Sequence, residues 1–135
     1  MMCTKQNFSI HEQYTRTQIQ KEVGGELQTY LPQRKGIILA GCFNKELNPD
    51  CPHEVQAGKG VRVTDKAKLL ISQPDTVFPV FVKDRRNNRK YKFVGHFRCI
   101  SGSNDPEIIK AAEQRSGRTG KLSYVLRLES VVLPD

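Results

Sequence analysis

Residues 83–98, KDRRNNRKYKFVGHFR, constrain the fold more than any other part of the chain. The turn-forming pair Asn87-Asn88 divides the segment. Residues 79–82 (PVFV) precede it and residues 91–100 (YKFVGHFRCI) complete it, and both stretches are rich in β-branched and aromatic side chains. Two such arms around a polar turn predict a β-hairpin, and a hairpin commits the neighbouring chain to a sheet. On the second arm, strict alternation puts Tyr91, Phe93, Gly95, Phe97 and Cys99 on one face and Lys92, Val94, His96, Arg98 and Ile100 on the other. Seven of the 22 basic residues fall within these sixteen positions, with Asp84 the only acid. A folded basic tip beside aromatic side chains suits a polyanion.

The rest of the chain alternates helix and strand signals. A helix is predicted over 15–23, with Thr15 as N-cap and Gly24-Gly25 as the stop. The apolar run 36–43 (GIILAGCF) reads as a central strand. Residues 44–60 form a long irregular segment, and a loop of that length is a functional candidate. A short strand over 61–63 precedes a helix capped by Thr64 and running to 73, with Ala67, Leu69 and Leu70 inward. Asp105 as N-cap and Pro106 at the first position start a third helix, which Gly117 stops. Residues 122–128 (LSYVLRL) alternate as a strand. This order predicts an α+β fold, a small curved antiparallel β-barrel flanked by helices, as one domain over 1–135 with 1–13 as a flexible N-terminal arm.

The net charge of +8 favours nucleic acid, a membrane surface or an acidic protein as partner. The apolar run 36–43 is far shorter than the ~20 residues of a membrane-spanning helix, and residues 1–10 lack a signal-peptide pattern, so a cytoplasmic protein with no membrane partner is expected. The four cysteines form no CxxC pair and read as free thiols, with Cys42 and Cys99 in the core. Cys51 and His53 match no zinc-binding spacing, so neither a metal nor another cofactor is expected. There is no GxSxG elbow and no carboxylate cluster for Mg²⁺, and the GKG of 58–60 is too short for a phosphate loop; the expectation is a non-enzymatic protein. The backbone of a nucleic acid is assigned to Arg85, Arg86, Arg89, Lys90, Lys92 and Arg98, with Lys59 and Arg62. The proline-stiffened segment Asn48-Pro49-Asp50-Cys51-Pro52 reads most simply as a capped turn. Its sharper reading is a rigid loop that offers an amide and a carboxylate to the edge of a base.

Three stretches, GGELQTYLP (24–32), NPDCP (48–52) and PVFVK with YKFVGHFRC (79–83 and 91–99), resemble a small bacterial domain and the wider PUA-like superfamily, which includes the SRA, EVE and ASCH domains. The resemblance spans 14–128. It implies a curved barrel whose pocket takes a flipped nucleotide, with Tyr30, Tyr91 and Phe93 as stacking rings and Asn48 and Asp50 as edge readers. Members of this superfamily often read altered bases in modification-dependent restriction systems. The expected function is therefore recognition of a modified base in DNA, ahead of an RNA-binding module of the same fold. A protein-interaction component of a defence or toxin–antitoxin system is the alternative from another class. Nothing in the sequence fixes an oligomeric state.

Overall fold

A computed structural model describes residues 8–133 of the chain. In order, the elements are β1 (Gln13–Thr15), α1 (Arg16–Val23), β2 (Gln33–Arg34), β3 (Ile37–Ile38), β4 (Gly41–Asn44), β5 (Glu54–Gly58), α2 (Val61–Ile71), β6 (Phe78–Lys83), β7 (Lys90–Ser103), α3 (Pro106–Ser116) and β8 (Leu122–Val131). The expected hairpin is β6–β7. Around it a six-stranded sheet runs β4-β6-β7-β8-β5, with β1 added on β7, and β2 and β3 form a separate ribbon. Only the β4–β6 pair is parallel in the large sheet. The 14-residue β7 is the spine, pairing with β6 through its first half while β1 and β8 take its two ends. The sheet curls into a half-barrel with three helices, an α+β architecture. Among the described residues, no helix is long and apolar enough to cross a membrane.

Local signals explain two of the helices well. Thr15 closes a capping box on α1: its hydroxyl accepts from Gln18 N at 3.2 Å, and Gln18 Oε1 accepts from Thr15 N at 2.8 Å. On α3, the Asp105 carboxylate accepts from Glu107 N at 2.9 Å, Pro106 fills the first position, and Gly117 ends the helix at φ 72°.

The sheet buries apolar side chains on both faces. One face carries Phe43, Val80, Val82, Phe97 and Leu126 against Ala67 and Leu70 of α2. The other carries Cys42, Phe81 and Phe93 against Ile19 of α1. A bulge joins them. Between Val80 and Phe81 the β6–β7 register slips from Gly95 to Phe93, leaving Val94 unpaired, and Gly95 sits at φ 114°. The slip turns Phe93 and Phe97 to opposite faces, where strict alternation had put them together. Each strand half thereby feeds a different core.

Three expectations are corrected. The run 36–43 is not one central strand: it splits into β3 and β4, and β4 is an edge of the sheet. The irregular segment 44–60 contains β5, paired with β8. Residues 61–63 are the first turn of α2 rather than a strand, with Gly60 as N-cap, and Thr64 lies inside the helix with its hydroxyl toward Gly58 O and Ser123. Of the arm 1–13, residues 1–7 lie outside the described residues, while Phe8 packs edge-on against Tyr14 and Phe81 and His11 N donates to Phe93 O at 2.9 Å. Cys3 also lies outside. Cys42, Cys51 and Cys99 are free and buried.

Candidate functional site

The two end strands of the sheet, β4 and β5, border one cavity of about 910 Å³ that also takes in Tyr30, Asn48, Arg62 and Arg118. A second hollow of about 500 Å³ shares Thr29, Tyr30, Cys42 and Asn44 with the first, and adds Arg16 and Tyr91. Together they make a continuous cleft along the open seam of the half-barrel. An edge strand leaves backbone donors and acceptors without sheet partners, and here local groups meet them. Cys42 N donates to Tyr30 O at 2.9 Å. The Asn48 Oδ1 accepts from Gln56 N at 2.7 Å, while Arg118 Nη1 donates to Gln56 O at 3.3 Å and to Leu47 O at 3.1 Å.

Arginines stand at both ends of this cleft, held by carbonyl oxygens rather than by acids. Arg16 Nη2 donates to Glu26 O at 2.8 Å and lies 3.5 Å from Thr29 O. Its Nη1 is buried and meets no acceptor among the described residues. Among the described residues, no carboxylate forms an ion pair with Arg16 or Arg118. Burial, and then the charge of Arg86 on the hairpin tip, lower the pKa of Arg118. Lys66 differs: its Nζ reaches Glu26 Oε2 at 2.6 Å and Leu31 O at 2.7 Å.

The tyrosines and the thiol of the cleft are held in their neutral forms. Burial pushes Tyr30 up, and its hydroxyl donates to Val63 O at 2.7 Å. Burial, with the nearby Cys42, also raises Tyr91 against the charge of Arg16, and Lys83 Nζ lies 4.5 Å from the Tyr91 ring centre. Burial raises Cys42 to about 11 despite Arg16 and Lys83, so its thiol stays protonated at neutral pH and is a poor nucleophile.

The hairpin loop lies beside the cleft. Asn88 Oδ1 accepts from Arg85 N at 2.9 Å, and Lys83 Nζ donates to Arg86 O and Asn88 O at 2.9 and 3.0 Å, which fixes the tip. Arg86 N donates to Glu46 Oε1 at 2.7 Å and so ties the tip to the segment after β4. Arg85, Arg86, Arg89, Lys90 and Lys92 are exposed. The last three, with Lys45 and Lys83, surround a basin of about 620 Å³ in which Asp84 is the only carboxylate among the described residues.

The residues assigned from sequence separate into distinct places. Tyr30 and Tyr91 share the cleft, and Arg62 lies at its β5 end. Asn48 borders it but is buried, and both ends of its amide are engaged: Oδ1 by Gln56 N, and Nδ2 by Asn44 O at 3.2 Å. It braces the β5 edge instead of reading a base. Asp50 lines neither hollow and lies 3.5 Å from Arg115 Nε. Phe93 is 3% exposed, a core ring rather than a stacking platform. Arg98 is paired with Glu129, its Nε 2.8 Å from Oε2, and sits eight positions along β7 from Lys90, roughly 25 Å at strand rise. Lys59 does not line the cleft; its charge acts on Glu113, whose pKa is lowered first by the backbone N–H of Leu122. Cys51 is buried while His53 is exposed with its ring against Phe97, and no group of three His, Cys, Asp or Glu among the described residues is placed to hold a metal.

Arg16 escaped the sequence reading. One signal points to it: it opens α1, a first turn without any acid, where a cation opposes the helix dipole. No protein-family model, curated protein or solved structure matches the chain.

Proposed function

We propose that the protein is a non-enzymatic nucleic-acid-binding module of the PUA-like kind, which recognises a modified base in DNA by drawing it into the cleft. The observation that carries this reading is a hollow in which Tyr30 and Tyr91 stand with Arg16, a guanidinium that forms no ion pair with a carboxylate among the described residues. A hydrogen bond from a charged group such as the Arg16 guanidinium to a base carbonyl or ring nitrogen contributes about 1.5–3 kcal/mol. Stacking on a tyrosine contributes about 1–3 kcal/mol per base, enough with phosphate contacts to offset the few kcal/mol of extrusion. The exposed arginines and lysines of the hairpin take the phosphate backbone beside the cleft, independent of sequence.

The test is binding of short DNA duplexes carrying cytosine, methylcytosine or hydroxymethylcytosine across a KCl series, with structured RNA as competitor. One modified duplex is expected to bind most tightly, with affinity falling as salt rises, and Arg16→Gln is expected to erase the preference. Equal affinity for every duplex removes modified-base reading, RNA outcompeting all of them moves the assignment to RNA, and the absence of salt-sensitive binding removes nucleic acid altogether.

A further inference from the structure

Arg118 lies at the other end of the cleft from Arg16 and has a different surrounding. It follows α3 in the turn before β8 and reaches back across the seam, where a single nitrogen, Nη1, is engaged by Leu47 O and Gln56 O. Those two carbonyls fix the plane of the guanidinium without neutralising it. Its Nη2 lies 3.5 Å from where a Cβ on Gly58 would sit, an ordinary contact distance, so the fork lies beside the β5 backbone. Arg62, from the first turn of α2, borders the same cavity and is exposed. Two acids also reach this space. Glu26 is taken by Lys66, which leaves Asp65, among the described residues, as the one carboxylate there without an ion pair. The hairpin adds Arg86, near enough to act on Arg118. Two guanidinium groups from separate elements, Arg62 and Arg118, therefore border the same cavity, the second held in place in advance.

We propose that this end of the cleft is a phosphate subsite, in which the anchored Arg118 and the exposed Arg62 grip the phosphodiester attached to the nucleotide whose base lies by Tyr30. The inference rests on the nucleotide reading above and adds a partner group for it. Tyr30 links the two ends: its hydroxyl donates to Val63 O at 2.7 Å, Val63 is the residue after Arg62, and Tyr30, Arg62 and Arg118 line one cavity. Arginine suits this role because its planar fork meets two phosphate oxygens at once, and prior anchoring lowers the ordering cost of doing so.

The test uses the full chain with a mixed-sequence single-stranded DNA of twelve nucleotides, titrated at several KCl concentrations, comparing wild type with Arg118→Met, Arg118→Lys and Arg62→Met. Removing one charged, hydrogen-bonded partner of the phosphate is expected to weaken binding about ten- to a hundred-fold for Arg118→Met, and to lower the salt slope by about 0.7. Arg118→Lys keeps the charge and most of the slope but not the fork, and recovers part of the affinity. Because Arg118 also holds two backbone carbonyls, far-UV circular dichroism and melting accompany each variant. If Arg118→Met is unfolded, Arg62→Met decides, since that side chain is exposed: a weaker, less salt-dependent complex supports the subsite. Folded variants with wild-type affinity and slope overturn it while leaving the nucleic-acid reading intact. Should the wild type bind no oligonucleotide, the nucleic-acid reading falls, and a melting shift with inorganic pyrophosphate then decides the subsite by its presence or absence in wild type against Arg62→Met.

Discussion

The two sides of β5 carry arginines in opposite electrostatic situations. On the α3 side, Arg115 Nη2 lies 2.5 Å from Glu54 Oε2 and its Nε 3.5 Å from Asp50, and Glu54 itself is only 6% exposed. On the seam side, Arg118, three residues further on, has carbonyl partners and no carboxylate among the described residues. A buried acid with its cation is a closed unit that answers to folding. A half-buried cation without an acid is stable only because the backbone holds it, and its charge is left to act on whatever enters the cleft. The difference separates structural from binding arginines in a chain where basic residues are common, and it places Arg16 with Arg118.

The largest effect follows from breaking the closed unit. Arg115→Met leaves the Glu54 carboxylate buried with Gln56 Nε2 at 3.2 Å and Arg127 Nη2 at 3.9 Å. The expected loss is about 2–3 kcal/mol by denaturant melting, below the full penalty for a sealed pair because Arg115 is itself 43% exposed. Oligonucleotide affinity is expected to stay within about twofold in that variant. A stable Arg115→Met, or one that binds DNA much more weakly, breaks the division between the two sides.

Next in size is Tyr91→Ala. The ring lies in the smaller hollow with Arg16, and removing it is expected to weaken binding of the preferred duplex by about 1–3 kcal/mol in a fluorescence titration, with the salt slope unchanged. Neutralising the tip with Arg85→Gln, Arg86→Gln and Arg89→Gln has the complementary signature. Each phosphate that the tip no longer neutralises lowers the duplex salt slope by about 0.9, while the ratio between modified and unmodified duplexes stays fixed. If the tip variant alters the ratio, or Tyr91→Ala alters the slope, then cleft and tip do not divide recognition from charge.

Sequence rules read best where one residue determines one local event. Thr15, Asp105, Pro106 and Gly117 each dictate a helix end by their own side chain or backbone preference, and the polar turn at Asn87-Asn88 fixes the hairpin. They fail where a distant partner decides. β5 was hidden because its α3-facing residues, Glu54 and Gln56, are polar, and their burial makes sense only once Arg115 and Ala112 O are beside them. The β-branched Val61 and Val63 entered a helix because α2 packs Ala67 and Leu70 onto the sheet, and packing outweighs a propensity difference below about 1 kcal/mol. Phe93 keeps the face of Tyr91 but is covered by Phe8, Phe81 and Ile19 from elsewhere in the chain, and the bulge that parts it from Phe97 has one visible sign, Gly95 in a strand. Asn48 reads in the sequence as a polar loop residue with free ends, and the β5 edge that occupies them comes from outside the motif. The charge on the tip was legible, but the isolation of Arg16 and Arg118 from acids is a property of the folded chain.

The smallest effect tests whether a cation on the seam side behaves like Arg115 once it is given an acid. Lys66 and Glu26 supply that case at the rim of the cavity. Partial burial alone would raise the Glu26 carboxyl, but the Lys66 hydrogen bond and the Gln33 N–H at 2.7 Å outweigh it and hold the group at about 2 instead of 4.5. A carboxyl depressed in the folded state contributes stability that is present above its unfolded pKa and is lost as pH falls through the folded one. The window is therefore pH 4.5 down to 2. Because Glu26 is 43% exposed, solvent screening limits the contribution to about 1 kcal/mol or less. Thermal melts of wild type and Glu26→Gln are expected to differ slightly at neutral pH, wild type the more stable, and to converge as the pH approaches 2. Curves that stay parallel across this window mean that the pair contributes nothing to folding. Lys66 would then count with Arg62 and Arg118 among the charges left available to a ligand.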